Sequence, residues 1–217
     1  MILDEPFNVE ALKSKRRYEI RKGDKNYEVR PIAYKDYETQ LYEVYELSKC
    51  GFPPHMQSEF TREHFQSMFS ADGKQMHVFG AFSRETGKLD GWAVVHRQGR
   101  YIGFSSLRTS VGAEKKNVNF ALVSYILYFF DADIKNGAYI DDGSRPVLHT
   151  TTNFQDFLEK YYGFRKAYSH LHVKYRPPFG LIVKLLYPFR NLFDWTGRKR
   201  LQEIYGVLLQ EEFSRKE

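Results

Sequence analysis

The stretch YIGFSSLRTSVGAEKKNVNFALVSYILYFF, Tyr101 to Phe130, decides how this chain folds. Tyr101 to Thr109 reads as a strand, and Ser110 to Lys116 as a polar, glycine-containing loop. From Asn117 to about Lys135 the pattern is helical and apolar nearly all round, through Val118, Phe120, Ala121, Leu122, Val123, Tyr125, Ile126 and Leu127. Such a helix is buried on most of its sides. Asn136-Gly137 is a good C-terminal cap for it. A strand followed by a greasy helix needs a sheet to lie on, so the neighbouring segments must supply strands.

Upstream they do. Gln75 to Phe82 and Gly91 to Arg97 read as two strands, and the polar connection Ser83–Asp90 with Gly87 predicts a hairpin. Tyr27 to Ile32 alternates and reads as a further strand. Between it and the hairpin, Lys35 to about Cys50 has helical spacing through Tyr37, Leu41, Val44, Tyr45 and Leu47, and stops at Gly51-Phe52-Pro53-Pro54. Thr61 predicts an N-cap for a short helix to about Phe69. Downstream, Ala138 to Gly143 begins as a strand and ends in a turn. Thr152-Asn153 caps a helix that Gly163 ends, and Ala167 to Tyr175 alternates as a last strand. The order predicts a mixed α/β fold: an antiparallel meander, then β-α-β-α-β with a parallel crossover.

The organisation expected is a basic leader over 1–26, either arm or helix, a domain over 27–176, and a helical extension over 177–217. The leader carries Lys13, Lys15, Arg16, Arg17, Arg21, Lys22 and Lys25, which suit either a solvated face or a phosphate-binding arm. The extension mixes Phe179, Leu181, Leu185, Leu186, Tyr187, Phe189 and Trp195 with Lys184, Arg190, Arg198, Lys199 and Arg200. Packing on the same chain, a homodimer contact and a peripheral, anionic membrane surface are the roles such a tail suits.

A net charge of +6 favours anionic partners without choosing among phosphorylated cofactors, nucleic acid and membrane. The lone Cys50 excludes an intramolecular disulfide and a C-x-x-C site. The start Met1–Pro6 lacks a basic and an apolar signal region, and the longest apolar stretch, Phe120 to Phe130, is short of the ~20 residues a bilayer span needs. A soluble, cytoplasmic protein is expected. No Gly-x-Ser-x-Gly, phosphate-loop or dinucleotide glycine pattern occurs. His170 and His172 share a face with Lys174, but no third ligand at a telling distance accompanies them, so no metal is expected.

The order of elements over residues 27–175 resembles the GNAT acyltransferase superfamily, and more narrowly its Fem-type, aminoacyltransferase-like branch. Ser14-Lys15-Arg16-Arg17-Tyr18-Glu19-Ile20-Arg21-Lys22-Gly23 is similar to the basic segment that enters such a domain in Fem-type proteins. The resemblance implies a splayed sheet with acyl-CoA as donor in the opening, its pyrophosphate on the amides that start the next helix. The splayed strand is then Tyr101–Thr109, with backbone groups at Leu107, Arg108 and Thr109 at the thioester. The family's loop pattern, Arg or Gln, two residues, Gly, one residue, Gly or Ala, falls on Lys116-Asn117-Val118-Asn119-Phe120-Ala121. Lys116 and Ala121 fit, and Asn119 stands where the pattern has glycine. Asn153 resembles the family's asparagine near the pantetheine arm, and is equally an ordinary N-cap. The tyrosine acid that many members carry four residues before Gly-Phe is Glu159 here, with Tyr161 and Tyr162 nearby.

For a base, His149 sits just before the Thr150–Asn153 cap and has a suitable ordinary pKa, or else is held by neighbouring hydroxyls. Asp141 and Asp142 are alternatives at a strand end, or turn formers before Gly143. The activity implied is N-acyl transfer from an acyl-thioester to an amine of a small molecule or sugar. A Fem-like transferase using aminoacyl-tRNA is the second reading, although such proteins usually hold two copies of the domain. A non-catalytic binding module that keeps the fold is the third.

Overall fold

The computed structural model describes residues 1–52, 57, 60–69, 75–143, 154–168, 171–194 and 199–215. The chain forms two compact units, one of 1–143 with 154–165, the other containing the described residues from Lys166 to Arg215. The leader therefore belongs to the first unit, and the second begins before the Pro177-Pro178 pair.

In the first unit six strands form one mixed sheet. They are β1 (Ile2–Leu3), β2 (Tyr27–Pro31), β3 (Gln75–Ser83), β4 (Leu89–Gln98), β5 (Tyr101–Thr109) and β6 (Tyr139–Asp141). Their order is β1-β6-β5-β4-β3-β2; β5 and β6 run parallel and every other pair is antiparallel. The fold is mixed α/β, as the element order predicts.

Alternation along β3 and β4 divides the core into two layers. Phe79, Ala81, Ala93 and Val95 face one side, where they pack with α1 (Ser14–Asn26), α4 (Val118–Phe129) and α6 (Phe154–Tyr162). Val78, Trp92 and Val94 face the other, against α2 (Tyr34–Ser48) and α3 (Arg62–Ser67). Trp92 Nε1 donates to Leu41 O at 3.0 Å and ties the sheet to α2. Thr61 Oγ1 accepts from His64 N at 3.1 Å, so it caps α3 as expected. The apolar helix ends at Phe130, and a short α5 (Asp131–Lys135) continues it, closed by Gly137 with φ +85°.

Two differences from the sequence reading stand out. Ile2–Leu3 is a strand, too short to show periodicity, and it takes the free edge of β6. The alternating Ala167–Tyr175 is not a strand at any described residue; only Arg165 bridges to Ile2. Period-two patterning makes a strand only where a face is buried, and here Tyr168 is 91% and Leu171 44% exposed.

The second unit holds α7 (Phe179–Leu186), α8 (Asn191–Asp194) and α9 (Lys199–Arg215). Val183 and Leu208 are its buried aliphatic side chains among the described residues. Arg190 pairs with Glu212 at 2.7 Å and Arg215 with Glu211 at 2.8 Å, and both guanidinium groups lie over the Tyr187 ring, at 4.6 and 4.1 Å. No helix among the described residues is long and apolar enough to cross a membrane.

Candidate functional site

β5 and β6 are paired for only three residues, Tyr101–Gly103 against Tyr139–Asp141. Beyond Gly103, β5 runs on to Thr109 with β4 as its only strand partner among the described residues. Its other edge, from Phe104 to Thr109, has no strand partner among the described residues. A strand with one free edge presents backbone N–H and C=O groups to whatever lies beside it. A bulge at Ser105 interrupts the β4–β5 register, since Val94 pairs with Ser106 and Val95 with Phe104. After the bulge Leu107 still packs with the α4 layer, and Arg108, opposite Trp92, faces the α2 layer.

Asp141 and Asp142 stand where the two strands part. Asp141 Oδ1 accepts from Gly143 N at 2.8 Å and lies 3.6 Å from the Met1 ammonium, so this carboxylate is held in a turn. Asp142 differs. Burial raises its carboxyl from an ordinary 3.8 to about 6, against the opposing pull of a Gln155 hydrogen bond. A carboxyl that titrates near neutrality can exchange a proton at working pH.

The loop after β5 leads to the start of α4, and α1 lies across it. Asn117 adopts a left-handed conformation, φ +66°, and its Nδ2 donates to Glu19 O at 3.1 Å and Glu19 Oε2 at 2.5 Å. Asn26 Nδ2 donates to Lys116 O at 3.0 Å, and Lys116 Nζ pairs with Glu85 at 2.7 Å. Asn119 Oδ1 is buried without a hydrogen-bond partner. Gly23 makes the crossing close: a Cβ there would stand 2.8 Å from Asn117 O and 2.9 Å from Ala121 N. The residues expected to hold pyrophosphate are thus gathered at the helix start, with the basic one engaged by a carboxylate.

Tyr161 lies in an aromatic cluster with Phe120 at 4.8 Å and Phe157 at 5.3 Å, beneath the Arg16 guanidinium at 5.9 Å. Tyr162 is fully buried, donates to Phe120 O at 3.0 Å and meets Ser124 Oγ at 3.1 Å. Burial drives its phenol far up, so it is structural. His149 and Asn153, and with them the expected base and pantetheine contact, lie outside the described residues, as does His170. The structure brings Leu107, Arg108 and Thr109 onto the part of β5 beyond its described pairing with β6. It separates Asp141 from Asp142 by environment, which residue type alone does not reveal. Tyr45, hidden in the sequence as one position of an apolar helix face, emerges beside Arg108.

No protein-family model matches this chain, and no curated protein matches it. Solved structures do. An acetyltransferase from Trypanosoma brucei aligns with a TM-score of 0.41 at 16% identity, over 69% of this chain and 100% of that one. L-PGS from Bacillus licheniformis aligns with a TM-score of 0.46 at 15% identity, over 74% of this chain and 57% of that one.

Proposed function

We propose that this protein transfers an acyl group from an acyl-thioester, acyl-CoA, to the amine of a small molecule. The observation that carries the reading is the fork at Gly103, where β5 leaves β6 and continues toward the start of α4 with no strand partner on that edge among the described residues. The thioester lies along that edge, and a β5 amide between Leu107 and Thr109 donates to the carbonyl oxygen as it becomes an oxyanion. The amine nitrogen attacks the carbonyl carbon, the C–N bond forms, the C–S bond breaks, and the thiolate leaves. Asp142, at the fork, takes the proton the amine loses. A proton returned from solvent or Tyr161 neutralises the thiolate.

Binding tests it directly. Acetyl-CoA at about 100 times its Kd stabilises a native state by roughly 2.7 kcal/mol, so the melting temperature of the full chain should rise by several degrees. Asn119→Gly should preserve or enlarge that rise, because it removes the side chain from the position where phosphate approaches backbone. A flat response in both proteins defeats the reading.

One arrangement favours a second reading, a binding module without turnover. Lys116 is committed to Glu85 and α1 covers the first turn of α4. Bound acetyl-CoA with no transfer to any amine would select it.

A further inference from the structure

Arg108 is a cation placed inside the protein without a counter-charge among the described residues. Among the described residues no carboxylate lies within ion-pair distance of it, whereas Arg62, Arg97, Arg165, Arg190 and Arg215 each have one. Its Nη1 donates to the neighbouring Leu107 O at 3.0 Å, and its Nε is buried with no partner. The guanidinium carbon lies 5.4 Å from the Phe52 ring centroid and 5.8 Å from that of Phe60. Ring faces soften the loss of water around a cation, but they accept no N–H bond with the strength of an oxygen.

A second orphan accompanies it. Tyr45 is fully buried on α2, its ring stacked on Phe60 at 4.7 Å, and its hydroxyl has no partner. The two groups are near enough that the Arg108 charge offsets part of the burial that pushes the Tyr45 phenol up to about 12. Ser106, on the same face, donates to the sulfur of Met68, at 3.5 Å, and to no other acceptor among the described residues. Buried donors without acceptors are rare in native proteins, and each calls for an explanation. The Ser105 bulge supplies the geometry: without it, Arg108 would share the parity of Ile102 and Phe104 and point into the α4 layer.

We propose that Arg108 and Tyr45 form a carboxylate-binding site on the α2 face of the sheet, with Phe52 and Phe60 as apolar walls, for a small amino-carboxylic acid. The complement of a planar guanidinium fork and a phenolic O–H is a planar anion with lone pairs on two oxygens. Aromatic walls suit an acid with a hydrocarbon body. That this acid is the acceptor in acyl transfer rests on the function proposed above; the site itself does not.

The test is calorimetric titration of the full chain with L-leucine, L-phenylalanine and β-alanine, each beside its carboxamide, and with sodium phosphate. At least one acid should bind ten-fold or more tightly than its amide, and phosphate should not compete. Arg108→Gln should weaken that acid at least ten-fold, and Tyr45→Phe, which keeps the ring, about three- to ten-fold. If Arg108→Gln fails to fold, Tyr45→Phe carries the comparison. Binding of no acid, equal binding of acids and amides, tighter phosphate, or an unchanged Tyr45→Phe overturns the inference. Acetyl-CoA is titrated separately on the wild-type protein. Acids silent with acetyl-CoA bound defeats this site alone; acetyl-CoA silent with an acid bound defeats the acyl-transfer reading alone.

Discussion

Asp142 and Arg108 are ionisable side chains that the fold keeps at a cost. For Asp142 the sign follows from its raised pKa. A carboxyl that titrates near 6 in the folded chain and near 3.8 in the unfolded one favours folding below about pH 4, and that benefit is lost as the pH rises through 6. At pH 7 the ionised group therefore opposes folding, by about 2–3 kcal/mol for a shift of this size. Asp142→Asn should stabilise the protein by about 2 kcal/mol at pH 7 and by nothing near pH 4, read by urea unfolding at the two pH values. If it is the base, the same change should lower kcat/KM by about 100-fold or more and remove the limb of the pH profile near 6. Loss of stability at pH 7 would contradict the environment described. For Arg108, replacement by Met removes an unpaired buried cation and should raise stability by about 1–2 kcal/mol. The sequence names both acids before Gly143 but cannot choose between them. The choice depends on which carboxylate bonds the turn amide and which is enclosed beside Gln155. Arg108 was legible as part of the splayed strand; its direction depends on one extra residue at Ser105, which no hydropathy pattern displays.

Among the elements, the meander β3–β5 and helix α4 were the most legible, because long alternating or fully apolar runs admit one period each. The leader was legible only as a charged segment. Its glycine weakens a helix locally, yet α1 runs through it, because Gly23 is where α1 meets the backbone of α4. Gly23→Ala should therefore destabilise the protein by about 2–3 kcal/mol despite the better helix propensity of alanine, since the new methyl meets backbone atoms that cannot rotate away. A chemical denaturation curve decides the sign. A stabilised variant would mean that α1 does not press on α4. The strand expected over Ala167–Tyr175 failed for the reason that alternation records a preference and not a partner.

On the scale of the molecule, the two units differ in how much they bury. Seven residues of α4 are buried, whereas α7 buries Val183 and exposes Phe179, Leu181, Ile182 and Leu185. Local opening follows buried contact, so hydrogen exchange should separate them. Amides of β4 and α4 should exchange through global unfolding, and those of α7 through an opening about 2 kcal/mol or more cheaper. Equal protection would mean that the units unfold together. Composition told of a tail mixing aromatic and basic residues; it could not tell that Arg190 and Arg215 converge on the Tyr187 ring, since the Arg215 contact joins residues far apart in the sequence.

The Ser105 bulge works like a reading frame for the strand. Were Ser105 drawn into the regular pleat instead, composition, charge and hydropathy would be untouched, yet positions 106–109 would exchange the sides to which they point. Leucine would then line the aromatic groove and the guanidinium would be driven into the greasy layer under α4. A change of ligand choice in this architecture is therefore reached as readily by straightening one bulge as by replacing one residue.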